Sequence, residues 1–242
     1  MFSNIVNVYH AVLELANKDQ KGFVSAQAFN RFAQQAQLNI YNALFSEVEE
    51  YRRSSRQNIN AKGDKSRLKQ IEEDLGFFSK NATVSKTSGV FTKPDDLSRI
   101  ISISTAGPML LGTSSRVPID ICYDEEKIER ILISDLAAPS ESHPVALVSN
   151  NVEVFPSNIS KILVRYYKVP GARDSSGVRV TGKPTLNFLN NTASVQNSLH
   201  FEFPEHYENE LAIEIAKMIG VSIRDADIVS FSNDAQTPKL HQ

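Results

Sequence analysis

The chain has 242 residues, of which 41% are hydrophobic and 22% are charged, and its formal net charge is −2. This composition excludes a fully disordered chain and allows one large hydrophobic core or two smaller ones. A charge this close to zero excludes a general attraction to nucleic acids or acidic membranes, so any contact with DNA must come from a local basic patch.

Apolar residues recur at steps of three and four through the first part of the chain, which predicts helices. The first helix is short and ends at the polar run 17–22. Ser25 is the expected N-cap of a longer second helix with Phe29, Ile40 and Val48 on its apolar stripe. The two helices are expected to pack as an antiparallel hairpin within a helical part that covers residues 1–76.

The most basic stretch of the sequence follows Tyr51. Its cations are Arg52, Arg53, Arg56, Lys62, Lys65, Arg67 and Lys69. A solvated helix face and linker is the favoured interpretation, because no aromatic residues that stack on bases are interleaved with the charges. If this stretch faces DNA, it can offer only phosphate contacts.

From residue 77 to residue 203 the pattern changes to short β-branched and aromatic runs, which predicts a β-rich part. The predicted strands are 99–104, 117–122, 145–148, 152–155 and 162–167. A short helix over 124–133, with acidic residues in its first turn, is predicted between the second and third strands. The segment 171–198 is too long for a tight connection and predicts a long loop or an extended hairpin.

The final part of the chain, 204–242, predicts a helix that opens at Pro204 and ends at Gly220. A short helix over 224–230 and a polar tail are expected to follow. The final helix should pack back on the helical part. The predicted fold is therefore α+β: an N-terminal helical hairpin or bundle completed by a C-terminal helix, with a central, mainly antiparallel β unit.

Two features indicate the compartment. The single cysteine, Cys122, cannot form an internal disulfide, which favours a small core side chain and a reducing environment. Residues 1–5 lack the basic and apolar regions of a secretory signal, and no segment has the roughly 18–20 apolar residues of a membrane span. We expect a protein made in a reducing cytoplasm, without a membrane partner.

Two patterns are similar to ligand-binding loops, but each lacks a required residue. The stretch 17–28 has the spacing of a calcium-binding loop, yet Lys21 and Ala28 stand where oxygen ligands are needed. The stretch 107–114 has the spacing of a phosphate-binding loop, yet Thr113 replaces its lysine. We therefore expect no cofactor.

Catalytic and metal-binding groups are not predicted either. The closest histidines, His200 and His206, span a strand-to-helix junction and have no cysteine nearby to complete a metal site. A small hydrolase or binding module that combines dispersed residues such as Ser142, His143 and Asp135 stays open as an alternative, although these residues form no recognisable nucleophile turn. The residues favour a structural protein over an enzyme.

Several short elements occur in a recognisable order along the chain. They are Gly22-Phe-Val-Ser25 followed by Phe29-Asn30, then Ser142-His-Pro144-Val, Val152-Glu-Val-Phe155-Pro156, Val164-Arg-Tyr-Tyr-Lys-Val-Pro170 and Phe203-Pro-Glu-His206. This order, which spans most of the chain, resembles the head-to-tail connector proteins of tailed bacteriophages. The chain is most similar to the neck ring proteins of crAss-like podoviruses.

The resemblance implies a virion structural protein without an active site. Such a protein forms a ring, commonly twelvefold, below the portal at the head–tail interface, and the ring surrounds the channel through which double-stranded DNA is packaged and ejected. The implied partners are other copies of the chain, the portal protein, adjacent neck or tail rings, and passing DNA without sequence specificity. Another tail or baseplate role in the same particle is the alternative.

Basic side chains are the candidate residues for docking or for contact with the channel. The first choice is the group Arg173, Arg179 and Lys183 in the long segment. The second choice is the group Arg52, Arg53 and Arg56.

Overall fold

The structure is a computed structural model that describes residues 2–17, 24–57, 62–106, 116–134, 136–189, 192–194 and 196–223, with backbone alone at 17, 54–57, 62–67, 189, 192 and 221–223. The chain divides into two compact units. Unit 1 combines Met1–Asp74 with Pro170–Gln242, and unit 2 is Leu75–Val169. The two ends of the chain thus build one unit, and its middle builds the other.

The chain has helices at both ends and a β-rich middle. The helices are α1 (Ile5–Asn17), α2 (Ala26–Gln57), α3 (Lys62–Gly76), α4 (Glu125–Ile133) and α5 (Glu208–Ile223), and a 3-10 turn, Glu205–Tyr207, precedes α5. The strands are β1 (Ser79–Ser85), β2 (Leu97–Thr105), β3 (Pro118–Cys122), β4 (Val145–Val148), β5 (Val152–Phe155), β6 (Lys161–Lys168), β7 (Ala172–Arg173), β8 (Arg179–Val180), β9 (Phe188–Leu189), β10 (Thr192–Ala193) and β11 (His200–Phe201). The predicted α+β class is confirmed.

Helix α5 is the central packing element of unit 1, because it contacts both α1 and α2. Its buried face includes Leu211 and Ile215, and burial of such side chains stabilises the fold by about 1.5–3 kcal/mol each. Ser25 caps α2 as predicted: its Oγ accepts a hydrogen bond from the backbone N–H of Ala28 at 3.2 Å. The C-terminal helix therefore completes the helical unit that the N-terminal helices begin.

The first residues of the chain are tied to the segment that leads into α5. The backbone N–H of Ser3 donates to the carbonyl of Phe203 at 2.8 Å, and the N–H of Asn4 donates to Oε1 of Glu208 at 2.6 Å. The N–H of Ile5 donates to Nδ1 of buried His200 at 3.2 Å. These bonds satisfy backbone donors at the start of α1, which have no partner within the helix itself.

Unit 2 is built on a six-stranded sheet in the order β1-β6-β2-β3-β4-β5. All neighbours are antiparallel except β3 and β4, which are parallel and are connected through α4. Phe91, Ile103 and Val164 belong to the core on one side of the sheet. The hydroxyl of Tyr166 in this core donates to Oδ1 of Asp96 at 2.7 Å, so the buried phenol has a partner. Cys122 is also buried, as expected.

Strand β1 is not predicted by the sequence pattern. Its sequence, Ser-Lys-Asn-Ala-Thr-Val-Ser, contains only two apolar residues, Ala82 and Val84, and both pack against the core. The other side of β1 is exposed to solvent and carries polar residues. Two inward residues are too few to produce a clear alternation in the sequence.

Three further observations concern the last third of the chain. Helix α5 continues through Gly220 to Ile223, because packing of the buried Gly220 outweighs its poor helix propensity. Residues 170–203 belong to unit 1, and the sequence pattern places them in the β-rich part 77–203. Within the segment predicted as a long loop or an extended hairpin, β7 pairs with β8 and β9 pairs with β10, both antiparallel. The helix and tail expected after residue 223 lie outside the described residues.

Two of the sequence patterns cannot be compared fully with the structure. Half of the stretch 17–28 (residues 18–23) and all of 107–114 lie outside the described residues. Among the helices of the described ranges, none combines the length and the apolarity that crossing a bilayer requires.

Candidate functional site

The β7–β8 hairpin of unit 1 carries two of the predicted contact residues. Arg173 and Arg179 lie directly opposite each other in its antiparallel register. The turn between them is fixed by Asp174, whose Oδ1 accepts the backbone N–H groups of Ser176 and Val178, both at 2.9 Å. This is an Asx-type turn, and it brings the two arginines to adjacent strands of one short hairpin.

Both arginines form ion pairs with Glu202, whose side chain is 0% exposed. Nη2 of Arg173 lies 3.4 Å from Oε1, and Nε of Arg179 lies 3.2 Å from Oε2. The side chains of Arg173 and Arg179 are only 21% and 30% exposed. A buried carboxylate requires such partners, because leaving its charge unpaired in the interior is very unfavourable.

Backbone and amide groups complete the surroundings of Glu202. The N–H of Gly171 donates to Oε2 of Glu202 at 2.7 Å, and the N–H of Glu202 donates to Oε1 of Gln37 at 2.9 Å. Nε2 of the same Gln37 donates to the carbonyl of Gly171 at 2.8 Å. This network joins the hairpin and the segment before α5 to helix α2, so it fixes the hairpin within unit 1.

Lys183, the third residue of the first choice, lies beyond β8 with an exposed side chain. Among the described residues it makes no ion pair, and its carbonyl accepts a hydrogen bond from Oγ1 of Thr185 at 2.9 Å. The structure therefore brings Arg173 and Arg179 together on Glu202 and leaves Lys183 outside that network. Of the three, Lys183 is the cation with the greatest freedom to contact a partner.

The second choice of contact residues lies in the C-terminal part of α2. Nη2 of Arg52 lies 2.9 Å from Oε1 of Glu72 on α3, and Nη2 of Arg53 lies 3.9 Å from Oε2 of Glu49 on α2 itself. Arg56 lies in α2, but its side chain falls outside the described part. Acidic neighbours thus give this surface a mixed charge, although the sequence is locally basic.

The turn before α5 is held by Asp74 at the end of α3. Its Oδ2 accepts the hydroxyl of Tyr207 at 2.8 Å, and its Oδ1 lies 3.3 Å from Nε2 of His206. Burial raises the pKa of the Tyr207 phenol, and the hydrogen bond to Asp74 raises it further. Within the described ranges, no group of His, Cys, Asp and Glu side chains is arranged to hold a metal ion.

The residues of the hydrolase alternative occupy an exposed turn before β4. Oγ of Ser142 and Nδ1 of the adjacent His143 are 3.0 Å apart, and Oγ of Ser140 is 3.0 Å from Oγ of Ser142. Asp135, the proposed third member, lies outside the described residues. Both Ser142 and His143 are exposed to water. The support for the hydrolase alternative is therefore limited to a contact between two residues that are adjacent in sequence.

The central role of Glu202 was missed in the sequence. A signal is present, because Glu202 stands between Phe201 and Phe203, and an acid inside an apolar run indicates a buried charge. Its partners cannot be identified in the same way, since Gln37 is 165 positions away in the chain.

Comparison with known proteins identifies no family. No protein-family model matches the chain, and no curated protein matches it. Its function is therefore inferred from its own residues and from the resemblance in the order of its elements.

Proposed function

We propose that this chain is a structural protein of a tailed-bacteriophage virion. Copies of it form a ring in the neck below the portal, link head to tail and surround the channel for double-stranded DNA. The proposal is supported by the elements that carry the resemblance, which include β5 and β6 in unit 2 and the segment 203–206 before α5 in unit 1. The likeness therefore involves both units.

The observation that carries the proposal is a group of exposed apolar side chains at the end of α4. This α4 cluster consists of Leu132, Ile133 and Leu136, and the last two are 81% and 99% exposed. Apolar side chains grouped on a surface generally mark a place that another protein covers. A ring subunit needs such surfaces, because a heterologous interface places different patches of neighbouring copies in contact.

The overall charge is compatible with this role. A net charge of −2 gives the chain no strong general attraction to DNA. A ring around the channel must let DNA pass in both directions, and a strongly basic lumen would retard it by binding its phosphates. A nearly neutral protein with locally placed cations fits that requirement.

The direct test is immunogold electron microscopy of purified particles with an antibody against this chain. Partly disrupted particles should be included so that a covered neck becomes accessible. Label at a single vertex, where head and tail meet, is the expected result. Label on the tail tip or baseplate would replace the neck role with another structural role, and the absence of label from particles of cells that express the chain would refute a virion protein.

The α4 cluster gives a second test, with Leu136→Asp as the variant. Loss of a buried leucine removes about 1.5–3 kcal/mol per interface, so incorporation into particles should fall by at least about tenfold. Asn150→Asp is the matched control, because Asn150 is exposed in the same unit and the change adds the same charge. Both variants should keep the thermal stability of the wild type. Normal incorporation of Leu136→Asp would show that this cluster is not covered in the ring.

A further inference from the structure

Strands β1, β6 and β2 turn one side toward the core of unit 2 and the other toward solvent. Val164 of β6 lies in the core, so Lys161 and Arg165, which are an odd number of positions away, lie on the opposite side. The register pairs Arg165 with Asn81 of β1 and with Ser102 of β2. The outward side of the three strands can therefore be identified residue by residue.

This side, which we call the basic sheet face, contains cations but no acidic residue. Its members are Ser79, Asn81, Thr83 and Ser85 of β1, Lys161, Leu163, Arg165 and Tyr167 of β6, and Arg99, Ser102 and Ser104 of β2. The cations Arg99, Lys161 and Arg165 are all exposed. In the described part of the chain, Lys161 and Arg165 form no ion pair. The nearest acid by strand position is Asp120, which lies on the same side of the sheet but on β3, beyond β2.

The face has the chemistry of a phosphate-binding surface. Arg165 and Lys161 are about 13 Å apart along β6, and Arg99, which pairs with Tyr167, extends the row of cations to about 20 Å. A DNA strand carries one charge per about 3.4 Å of helix axis, so this row can reach several phosphates. The hydroxyl and amide groups between the cations are donors of the kind that bind phosphate oxygens.

Other polyanions fit the face less well. Single-stranded nucleic acid is usually bound by several aromatic side chains on which the bases stack, and Tyr167 is the one aromatic residue among the members of this face. An acidic protein would be expected to make apolar contacts as well, but these strands offer few: Leu163 is buried, and Ile101, at an irregularity of β2, is the exposed apolar side chain. The positive charges and the polar donors together favour the phosphate backbone of double-stranded DNA, and binding to that backbone does not depend on the base sequence.

We propose that the basic sheet face binds the phosphate backbone of double-stranded DNA. This inference rests on the proposed function and adds to it the surface that meets the DNA. It assigns the contact to Arg99, Lys161 and Arg165 instead of Arg173 and Arg179, whose guanidinium groups are held by Glu202. Three phosphate contacts give weak, strongly salt-dependent binding, which allows DNA to slide.

The test measures binding of the full chain to a fluorescent duplex of random sequence by anisotropy, over about 50–200 mM salt. Three contacts predict a slope of about −2.7 in the plot of log affinity against log salt. The variant Lys161→Gln/Arg165→Gln should lower the affinity at least about tenfold at the lowest salt and reduce the slope to about −0.9. Arg99→Gln alone should reduce the slope by about 0.9.

The matched control is Lys127→Gln/Arg130→Gln, which removes the same charge from exposed positions of α4 in the same unit. It should bind as the wild type does. The proposal is overturned if the wild type does not bind the duplex at the lowest salt, if the two double variants behave alike, or if polyglutamate of equal charge competes as well as DNA. Neck labelling in particles is independent of this assay, so DNA binding lost with label retained would refute this inference alone.

Discussion

Replacing Glu202 by glutamine should destabilise unit 1 far more than any comparable change at the surface. The substitution keeps the shape of the side chain, and its amide oxygen can still accept the N–H of Gly171 at 2.7 Å. It removes the negative charge that Arg173 and Arg179 approach at 3.4 Å and 3.2 Å. Two charge-assisted interactions are therefore weakened inside the protein.

The expected loss follows from the exposure of the arginines. A hydrogen bond to a charged group contributes about 1.5–3 kcal/mol, and removing one member of a buried ion pair costs about 3–5 kcal/mol. Because the arginines remain 21% and 30% exposed, water can solvate them in part, so the lower end of each range applies. We expect the free energy of unfolding of unit 1 to fall by about 3 kcal/mol.

Urea unfolding measures this change. Far-ultraviolet circular dichroism reports on the long helices of unit 1, and tyrosine fluorescence can serve as a second probe because the chain has no tryptophan. The transition midpoint should fall at an unchanged slope. Glu72→Gln, which removes the partner of Arg52 at the surface, is the control and should cost at most about 1 kcal/mol. Equal effects of the two substitutions would refute the structural role of Glu202.

Three further changes test individual contacts. Burial raises the pKa of Tyr207 in the folded protein, so its contribution to stability is present below the unfolded pKa of about 10 and is lost as the pH rises above it, by up to about 1.4 kcal/mol per pH unit. Tyr207→Phe should therefore show a shallower decline of the urea-unfolding free energy above pH 10. An equal decline in the variant and the wild type would contradict this. His200→Leu leaves the N–H of Ile5 without its acceptor and should cost about 1–3 kcal/mol, whereas His200→Asn, whose side-chain oxygen can replace Nδ1, should lose less in the same assay. Asp124 caps α4 by accepting two backbone N–H groups through Oδ1, so Asp124→Ala should lower stability by about 1 kcal/mol, and thermal unfolding should show a much smaller loss for Asp124→Asn.

The parts of the fold that follow local patterns are readable in the sequence. Strands β4 and β5 begin and end where predicted, because each is a short apolar run between turn-forming residues. The N-cap of α2 at Ser25 is equally local, since a cap depends on a side chain and a backbone N–H three residues apart. Such elements can be predicted because the interactions that cause them lie within a few residues of the sequence.

The parts that depend on distant residues are not readable in this way. Residues 170–203 resemble strand and loop sequence, and only their contacts with α2 and their approach to α5 assign them to unit 1. Gly220 has the form of a helix end, but its burial allows α5 to continue. Strand β1 owes its conformation to pairing with β6, which its own polar sequence does not specify.

The same distinction separates structural charges from charges that are available to a partner. The stretch after Tyr51 is the most basic in the sequence, but in the structure Arg52 and Arg53 meet glutamates. Arg173 is likewise held by Glu202. By contrast, Lys161 and Arg165 make no ion pair among the described residues, and they lie on β6 between the polar outward positions of β1 and β2. Local density of basic residues is thus a poor guide to a polyanion surface, because each acid that folding brings near a cation reduces its attraction for phosphate.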